Sequence, residues 1–484
     1  MEQAKLKGYI PTIGIECHVQ LRTKTKLFAA VNIADFDATP NTSISQICLG
    51  MPGALPVLNE KAVELAARAA ITLNTKPQPF SKFDRKHYFY PDLPKGYQIT
   101  QFEEPIILGG YIDIKINGES RRINITRAHL EEDAGKTIHP QGKDYSLVDL
   151  NRAGTPLLEI VSEPEMHSPE EARLFAYELY LLMKYAEISD ADLYQGNMRF
   201  DVNVSVNRDN KELGIRTETK NLNSFKSVEK AVEYEVKRQI DLIEKGTRIV
   251  QETRGWNDAK QKTFSQRSKE DAHDYRYFPD PDIPPLDLSQ EFIDNSVKDM
   301  PILPNEIRAK LRKLNVDESA IETLVEEIIP GKFTLEILKK SDVDIAKRVA
   351  NWLTSDVQAL ISENKITWST IKLVSDSFIE LAELTLKNKI SSTSAKIILY
   401  EIVIIGGKPL EIAQSKKLLQ LSDEAGLIEI VRKVLADNSQ AANDVKKGEE
   451  KAIGYLVGQV MKLSKGQANP QISQKLIKKE LNIN

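Results

Sequence analysis

The sequence predicts an α+β fold in which a β-sheet domain over residues 1–295 precedes two helical domains, over residues 296–404 and 405–484. Strand-like alternation, all six His, both Cys and most of the Gly, Pro and Asp residues that mark turns lie before residue 295. From Pro304 onward, Leu, Ile, Lys and Glu recur at helical spacing with few turn signals. Breaks between helices are expected at Pro330-Gly331 and at residues 406–409.

Length and composition indicate a soluble protein of several domains. The chain has 484 residues, of which 41% are hydrophobic and 28% charged, and its formal net charge is −4. Nucleic acid would therefore have to bind a local basic patch. No apolar stretch reaches the roughly 20 residues that cross a bilayer, and the first residues lack the apolar core of a signal peptide. With Cys17 and Cys48 as the only thiols, we expect a cytoplasmic protein without membrane contact.

The first predicted strand, residues 12–21, carries the first candidate site residues. Its apolar residues alternate with Glu16 and His18, so these two side chains are neighbours about 7 Å apart on a polar face. A carboxylate and an imidazole in this arrangement can share one metal ion. A solvated strand face is the alternative. Cys17 is in phase with the apolar residues and is expected to be a buried small hydrophobe.

A β-hairpin and two helices are also predicted in this half. Asn117-Gly118 separates two runs of alternating Ile residues, and Asn-Gly between such runs is a strong hairpin signal. A helix over residues 168–187 is expected to begin after an N-cap at Ser168, and another over residues 224–245 to begin at Ser224.

The second hairpin strand leads into a cluster of acids. Its odd-numbered positions are in phase: Ile123, Ile125, Arg127, His129 and Glu131. A strand without a bulge therefore places Glu131 on this face and Glu132 on the other. Three consecutive acids, ending at Asp133, repel one another unless a cation compensates them. Lys136 follows, and Lys commonly contacts phosphate; an acidic turn in water is the alternative.

Polar residues also interrupt the later strands. Glu159 lies inside an apolar strand, where it is costly unless it binds a metal or forms a salt bridge, for example to Arg152. Two further polar strand faces carry acids beside a base: Arg199, Asp201 and Asn203 on one, and Glu218 and Lys220 on the other. Acids and bases on one face of several strands suggest a concave sheet that binds Mg²⁺ and a polyphosphate.

Motifs of other enzyme classes are absent from the sequence. It has no G-x-x-x-x-G-K-[ST] P-loop and no G-x-S-x-G nucleophile elbow, so any ATP is held by another kind of site. Neither Cys has a credible glutaminase setting. If the protein uses ammonia, we expect that another protein supplies it.

The last residues are locally basic and could bind RNA phosphates. The Lys residues are Lys462, Lys465, Lys475, Lys478 and Lys479, against Glu480 alone. A charged helix face explains the same pattern equally well.

Long motifs in order along nearly the whole chain resemble the GatB family, the family of B subunits of the bacterial tRNA-dependent amidotransferases. In the first half they are IGIECHVQL, PNTSISQICLGMPGALPVLN, HYFYPDLPKGYQITQ, RAHLEEDAGK, LVDLNRAGTPLLEIVSEPE, GNMRFDVNVSV, TETKNLNSFKSVEKA and DYRYFPDPDIPPL. The closing VGQVMKLSKGQANPQ resembles the YqeY-type tail of that family.

The resemblance implies a glutamine-synthetase-like catalytic sheet, a helical domain and a tRNA-binding YqeY-like tail. It also implies a heterotrimer with an amidase (A) subunit and a small C subunit. ATP would phosphorylate the side-chain carboxylate of Glu or Asp mischarged on tRNA-Gln or tRNA-Asn. Ammonia released from glutamine by the amidase would then displace the phosphate. The sequence does not indicate which of the two tRNAs is preferred.

The resemblance also assigns site residues. The metal positions it implies are Glu16, His18, Glu131 and Glu159, and the first three of these are also predicted to be catalytic. Other residues in matching motifs are predicted to contact substrate or phosphate: Lys95 and Arg152 as catalytic residues, and Lys136, Asp201 and Lys220 at the ATP site.

One departure from the family concerns zinc. Many relatives carry Cys-x-Cys and Cys-x-x-Cys pairs that form a zinc site, whereas this chain keeps one of those thiols, Cys48. One thiolate cannot hold a structural zinc ion, so ATP and Mg²⁺ are expected here without zinc.

Two other functions are alternatives. One is a small-molecule carboxylate kinase or ligase on the same type of sheet, although a small substrate needs neither the long helical half nor the basic tail. The other is a non-catalytic tRNA-binding scaffold, which would not need an acidic cluster.

Overall fold

A computed structural model describes residues 8–208, 212–268, 274–364, 366–420, 424–447, 449–464 and 467–483. The chain divides into two compact units, Met1–Leu303 and Pro304–Asn484. Every strand among the described residues lies in the first unit, and the second is built of helices. The predicted α+β fold, with strands before helices, is confirmed.

The first unit combines a large sheet with small sheets and four helices among its described residues. Its strands are β1 (Ile10–Gln20), β2 (Phe80–Ser81), β3 (Asp84–His87), β4 (Tyr97–Thr100), β5 (Ile107–Leu108), β6 (Tyr111–Ile116), β7 (Glu119–Glu132), β8 (Lys136–Ile138), β9 (Leu147–Asp149), β10 (Pro156–Ser162), β11 (Met198–Asn207), β12 (Thr217–Leu222), β13 (Glu252–Asn257), β14 (Lys262–Ser268), β15 (Phe278–Pro279) and β16 (Leu286–Asp287). Its helices are α1 (Glu60–Thr72), α2 (Pro169–Tyr185), α3 (Phe225–Glu244) and α4 (Gln290–Val297).

The central sheet places β1 in the middle of the unit. The strand order in this 9-stranded sheet is β14-β13-β12-β11-β1-β10-β7-β5, with β6 paired to β7. Neighbouring strands are antiparallel except for β12 and β13, which are parallel. Helices α2 and α3 contribute buried residues such as Phe175 and Val232 to the same core as the apolar side of β1. Burial of each such side chain stabilises the fold by about 1.5–3 kcal/mol. The apolar residues of the sheet therefore face the helices, and the polar residues lie on the opposite face.

Local sequence signals predict several elements correctly. Arg199, Asp201 and Asn203 lie on one strand, β11, and Cys17 of β1 is fully buried, as expected. Asn117 and Gly118 both have positive φ, 51° and 84°, as a two-residue hairpin turn of this type requires. The side chains of Ser168 and Ser224 accept hydrogen bonds from the first turns of α2 and α3, which confirms both predicted N-caps.

The predicted phase of β7 is wrong, because the strand contains a bulge. The pairing with β10 shifts between Val161 and Ser162, which lie opposite Arg127 and Ile125. The residue between them, Thr126, is left out of the register, and the extra residue exchanges the two faces of the strand. Ile125 therefore faces the core before the bulge, as Ala128 and Leu130 do after it.

The second unit contains only helical elements among its described residues. They are α5 (Pro304–Leu311), a 3₁₀ turn (Arg312–Leu314), α6 (Glu318–Glu326), α7 (Ile328–Lys340), α8 (Val343–Trp352), a π-helical turn (Leu353–Val357), α9 (Gln358–Asn364), α10 (Ser375–Leu386), α11 (Ser392–Ile404), α12 (Pro409–Ser415), α13 (Glu424–Asp437), α14 (Ser439–Lys446), α15 (Glu450–Leu463) and α16 (Pro470–Glu480). No helix in the described part of the chain is long and apolar enough to cross a membrane.

One of the two predicted helix breaks is misplaced. Pro330 and Gly331 lie inside the first turn of α7, and the interruption falls at the extended residue Glu327. Proline is tolerated in a first helical turn, where backbone N–H groups lack helical acceptors. The other break is confirmed, since residues 405–408 separate α11 from α12.

The domain limits predicted from sequence remain predictions. The first unit continues to Leu303, because Phe292 and Ile293 of α4 pack against its core. The last four helices share a hydrophobic core of their own, which includes Leu427, Leu456 and Ile477. This core supports a separate tail within the second unit.

Candidate functional site

Five adjacent strands carry the polar face of the central sheet. The register of β1, β10 and β7 places His18 opposite Glu159, and Glu159 opposite His129. On the other side of β1, Glu16 lies opposite Asp201 of β11. The polar residues thus form a continuous surface that crosses the strands at right angles.

A first cluster, here called the histidine group, consists of His18, His129, Glu131 and Glu159. His18 Nε2 lies 3.6 Å from Glu131 Oε1 and 3.7 Å from Glu159 Oε2. His129 Nε2 lies 3.3 Å from Glu159 Oε2 and 3.8 Å from Glu131 Oε2. Three of these residues, His18, Glu131 and Glu159, offer ligand atoms within 4.8 Å of one another.

The carboxylates of the histidine group hold a positive charge on His129. Burial disfavours protonation of this imidazole, but Glu159 and Glu131 outweigh burial and raise the pKa of His129 to about 9. Burial likewise opposes ionisation of Glu159, but His129, His18 and Lys86 outweigh it and lower the pKa of that carboxyl. At neutral pH the group therefore contains an imidazolium and an ionised carboxylate.

A second cluster, here called the lysine group, consists of Glu16, Asp201, Glu218 and Lys220. The three carboxylates offer oxygens within 4.8 Å of one another. Lys220 Nζ lies 3.0 Å from Asp201 Oδ2 and 2.7 Å from Glu218 Oε1. Burial disfavours the charged form of Lys220, but Asp201 and Glu218 outweigh burial and raise the pKa of this ammonium.

Glu16 is the least compensated acid of the lysine group. Asn203 Nδ2 donates a 2.8 Å hydrogen bond to its Oε1, which favours the ionised form. Burial, followed by the charges of Glu159 and Glu218, nevertheless raises the pKa of Glu16. A cation bound here would relieve this repulsion.

The three consecutive acids have different counter-charges. Glu131 belongs to the histidine group, whereas Glu132 accepts hydrogen bonds from Lys95 and from the backbone N–H of Ile99. Asp133 Oδ2 lies 3.3 Å from Arg152 Nε and 3.1 Å from Arg199 Nη2. Glu131 and Glu132, although adjacent in the chain, therefore have separate sets of partners.

The structure brings together most, but not all, of the residues predicted for the site. Arg152 pairs with Asp133 and donates to the carbonyl oxygens of Ala134 and Gly135, so a salt bridge between Arg152 and Glu159 is not formed. Lys95 is held by Glu132. Lys136 is exposed at the beginning of β8.

Two members of the clusters had no role assigned to them from sequence. His129 and Glu218 were placed on the same strand faces as Glu131 and Lys220, two positions further along the chain, and this alternation was the signal that could have added them to the site. Lys86 of β3 was also missed. Burial disfavours its charged form, but Glu131, Tyr277 and Glu159 outweigh burial and raise the pKa of Lys86; no sequence signal places it beside β7.

The loop that contains Cys48 is held by polar contacts. Asn151 Oδ1 accepts 2.8 Å hydrogen bonds from the backbone N–H groups of Thr42 and Ser43. The buried thiol of Cys48 lies 3.5 Å from Lys26 Nζ and 3.2 Å from Ser45 Oγ. The absence of zinc stays a prediction.

The chemistry of the two clusters suits a divalent cation. Carboxylate oxygens are the ligands that Mg²⁺ prefers, and the lysine group offers three of them. The histidine group adds an imidazole nitrogen, which is more typical of transition metals. The metal residues expected from sequence are thus divided, with Glu16 in the lysine group and His18, Glu131 and Glu159 in the other.

Comparison with known proteins gives the same family in both halves of the chain. The model of the GatB/GatE catalytic domain matches residues 11–294, and that of the GatB domain matches residues 332–481. The B subunit of the aspartyl/glutamyl-tRNA(Asn/Gln) amidotransferase from Caldanaerobacter subterraneus subsp. tengcongensis is 45% identical over 476 residues, covering 98% of this chain and 99% of that protein. The protein of the same name from Brevibacillus brevis is 45% identical over 481 residues, with coverages of 99% and 100%.

Proposed function

We propose that this chain, which belongs to the family of B subunits of aspartyl/glutamyl-tRNA(Asn/Gln) amidotransferases, performs the ATP-dependent step of tRNA-dependent amidation. The reaction forms a carbon–nitrogen bond with glutamine as the nitrogen donor, and converts Glu on tRNA-Gln or Asp on tRNA-Asn into the amide. The observation that carries the proposal is the pair of acidic clusters on one sheet face, within the residues that match the catalytic-domain model.

The proposed chemistry has two steps. A side-chain carboxylate oxygen of the tRNA-bound Glu or Asp attacks the γ-phosphorus of ATP, and ADP leaves. Ammonia then attacks the resulting acyl phosphate at carbon, phosphate leaves with the bonding electrons, and the nitrogen loses a proton. A carboxylate is a poor electrophile and an acyl phosphate is a good one, so the first step makes the second possible.

Both clusters are proposed to bind metal ions, and each contains a cationic side chain that holds its carboxylates in place. The carboxylates of Glu16, Asp201 and Glu218, together with His18, Glu131 and Glu159, would hold Mg²⁺. Bound Mg²⁺ neutralises charge on the phosphoryl group during its transfer. Lys220 keeps Asp201 and Glu218 together, and His129 does the same for Glu131 and Glu159. Such fixed side chains lower the reorganisation that the reaction needs.

Lys95 and Arg152 are proposed as positioning residues. Each already has a carboxylate partner, Glu132 and Asp133 respectively, and these acids follow Glu131 directly in the chain. The two pairs therefore fix the backbone that carries Glu131. Lys136, which is exposed at the beginning of β8, remains the proposed phosphate contact from this segment.

We also propose that an amidase (A) subunit and a small C subunit complete the enzyme. Cys17 and Cys48 are both buried, so neither thiol is placed to attack an external glutamine. We therefore propose that ammonia is released on another chain, the amidase subunit.

The tail is proposed to bind tRNA. Exposed lysines occur on both of the last helices, Lys462 on α15 and Lys475 and Lys479 on α16; Lys465 lies outside the described residues. RNA phosphates are the natural partners of such side chains. The last four helices, which carry these lysines, share a hydrophobic core of their own.

The test is ATP hydrolysis by this chain assembled with its amidase and C partners, with Mg²⁺ and with or without Glu-tRNA-Gln. We expect mischarged tRNA to stimulate hydrolysis and Gln-tRNA-Gln to form, with Asp-tRNA-Asn as the next substrate. Stimulation by free glutamate would indicate a small-molecule ligase instead. Tight tRNA binding without hydrolysis would indicate a scaffold.

A further inference from the structure

Two cationic side chains beside the histidine group have no carboxylate partner. Arg127 of β7 and Lys86 of β3 are both half-buried, and neither has a carboxylate oxygen within 4 Å in the described part of the chain. Lys95, Arg199 and Lys220, by contrast, each pair with an acid. Two positive charges next to the histidine group can therefore bind an anion.

The strand register places Arg127 near both acidic clusters. Arg127 lies opposite Val161 of β10, and Val161 lies opposite Glu16 of β1. Along β7, Arg127 follows the bulge and precedes His129 by two residues, so the two side chains are about 7 Å apart on one face. The guanidinium group is thus in the same row of the sheet as Glu16 and next to the histidine group.

The Arg127 side chain is held by the backbone and not by an acid. Its Nη2 donates a 2.6 Å hydrogen bond to the carbonyl oxygen of Gln101. Gln101 is itself fixed, because its side-chain Oε1 accepts a hydrogen bond from the backbone N–H of Leu130. The Nε of Arg127 is buried and has no hydrogen-bond partner. A buried donor without an acceptor is unfavourable, and a bound anion would relieve this state of the guanidinium group.

Lys86 approaches the same place from the small sheet. It lies on β3, which pairs with β4, and β4 contacts β7. The Nζ of Lys86 lies 4.9 Å from the ring centroid of Tyr275. Burial acts to lower the pKa of both Lys86 and Arg127, and the charge of Glu159 acts to raise both. The two cations therefore border the histidine group from different strands.

The substrate of the proposed reaction needs cations at this place. The side-chain carboxylate of the tRNA-bound amino acid has to come close to Mg²⁺-ATP, where Glu16, Glu131 and Glu159 would repel it. A guanidinium group can bind a carboxylate through two parallel hydrogen bonds, and a lysine ammonium adds a second positive charge. One oxygen of the carboxylate can stay bound while the other attacks phosphorus.

We propose that Arg127 and Lys86 bind the side-chain carboxylate of the Glu or Asp carried by tRNA, and so distinguish the substrate from its amide product. This inference rests on the proposed function, which makes that carboxylate the attacking group. Gln or Asn on the same tRNA offers a neutral amide, which gives the two cations no counter-charge and turns an NH₂ group toward their donors. The acid is therefore retained and the amide is released.

The test compares the affinities of the assembled complex, without ATP, for Glu-tRNA-Gln and Gln-tRNA-Gln. Contacts with the tRNA itself are common to both ligands, so the ratio of the two dissociation constants depends on the amino-acid side chain. We expect wild type to prefer Glu-tRNA-Gln by at least about tenfold, as hydrogen bonds to a charged group imply. Arg127→Gln should lose most of this preference, and Lys86→Met should reduce it. An unchanged preference in both variants would overturn the proposal.

A second measurement distinguishes the substrate carboxylate from the phosphates of ATP, which are also anions. In tRNA-stimulated hydrolysis, Arg127→Gln should raise KM for Glu-tRNA-Gln more than KM for ATP. Arg127→Lys, which keeps the charge, should restore part of the preference for Glu-tRNA-Gln. A higher KM for ATP together with an intact preference for Glu-tRNA-Gln would assign the two cations to a phosphate and refute the carboxylate site.

The control variant is Arg122→Gln, which removes an exposed guanidinium group from the same strand and should leave the preference unchanged. If Arg127→Gln lowers the melting temperature strongly, Lys86→Met and Arg127→Lys provide the test. A wild-type complex that prefers Glu-tRNA-Gln but lacks tRNA-stimulated hydrolysis would contradict the proposed function and support the carboxylate site. A wild-type complex without that preference would contradict the carboxylate site alone.

Discussion

Most charged side chains on the polar face of the sheet are paired with one another, whereas the lysines of the last helices face solvent. Glu131 and Glu218 are less than one-tenth exposed, and each has counter-charges within 4 Å. Lys462, Lys475 and Lys479 are exposed. Paired, buried charges have one geometry and can orient reacting groups, while exposed charges attract phosphates with little geometric demand. The two regions should therefore respond to mutation in opposite ways.

The largest expected effect is the loss of chemistry in Glu131→Gln. This change keeps the shape of the side chain but removes the negative charge from the centre of the histidine group. We expect tRNA-stimulated ATP hydrolysis to fall by at least about 10²–10³-fold, as when a preorganised charge-stabilising group is lost, with tRNA affinity nearly unchanged. Glu170→Gln, at an exposed position of α2, is the control. Equal loss of both properties would mean that Glu131 is structural.

The next effect concerns stability of the metal-free protein at high pH. The pKa of His129 is raised from 6.5 to about 9 in the folded state, so its charge stabilises the fold by at most about 3 kcal/mol. This contribution is fully present below pH 6.5 and is lost as pH rises through about 9. Denaturant unfolding of wild type should show that decrease, and His129→Gln should lack it. If the free energy of unfolding of His129→Gln decreases with pH as much as that of wild type, the decrease does not come from His129. The control is His139→Gln, which removes an exposed imidazole.

A smaller effect is expected when the fixed cation of the lysine group is removed. In Lys220→Met, the carboxylates of Asp201 and Glu218 lose the ammonium that neutralises them. Because the Lys220 side chain is 38% exposed, solvent screens the pair and we expect a stability loss of about 1 kcal/mol or less.

The affinity of the Lys220→Met variant for Mg²⁺, measured by calorimetry, should rise, since Mg²⁺ no longer competes with an ammonium group. Unchanged affinity would exclude metal binding by this group; Lys230→Met on α3 is the control.

The smallest effects are expected for single lysines of the tail. Lys475→Glu and Lys479→Glu should each weaken tRNA binding several-fold and reduce the slope of log K against log salt by about 1. Hydrolysis of ATP at saturating tRNA should persist. Lys310→Glu, at an exposed position of α5, is the control. An unchanged salt slope in both tail variants would refute a tRNA-binding role for α16.

Predictions from sequence were most accurate where the signal is local. The faces of β1, the hairpin at Asn117-Gly118 and the N-caps Ser168 and Ser224 depend on neighbours a few residues away. The same alternation placed Glu16 and His18 correctly on the polar face. It failed in β7, because the bulge at Thr126 arises from pairing with β10, a strand about thirty residues further along the chain.

The sequence by itself determined the strand faces, the helix caps and the resemblance to a family, because each is encoded in residues close together in the chain. Only the tertiary structure decided which acids meet. The strand order β12-β11-β1-β10-β7 brings Glu16 close to Asp201 and Glu218. The same order brings His18 close to Glu131 and Glu159. In the folded chain, Arg152 forms its salt bridge with Asp133 and not with Glu159. Distances between strands follow from hydrogen-bonded register, and register is a property of the whole sheet.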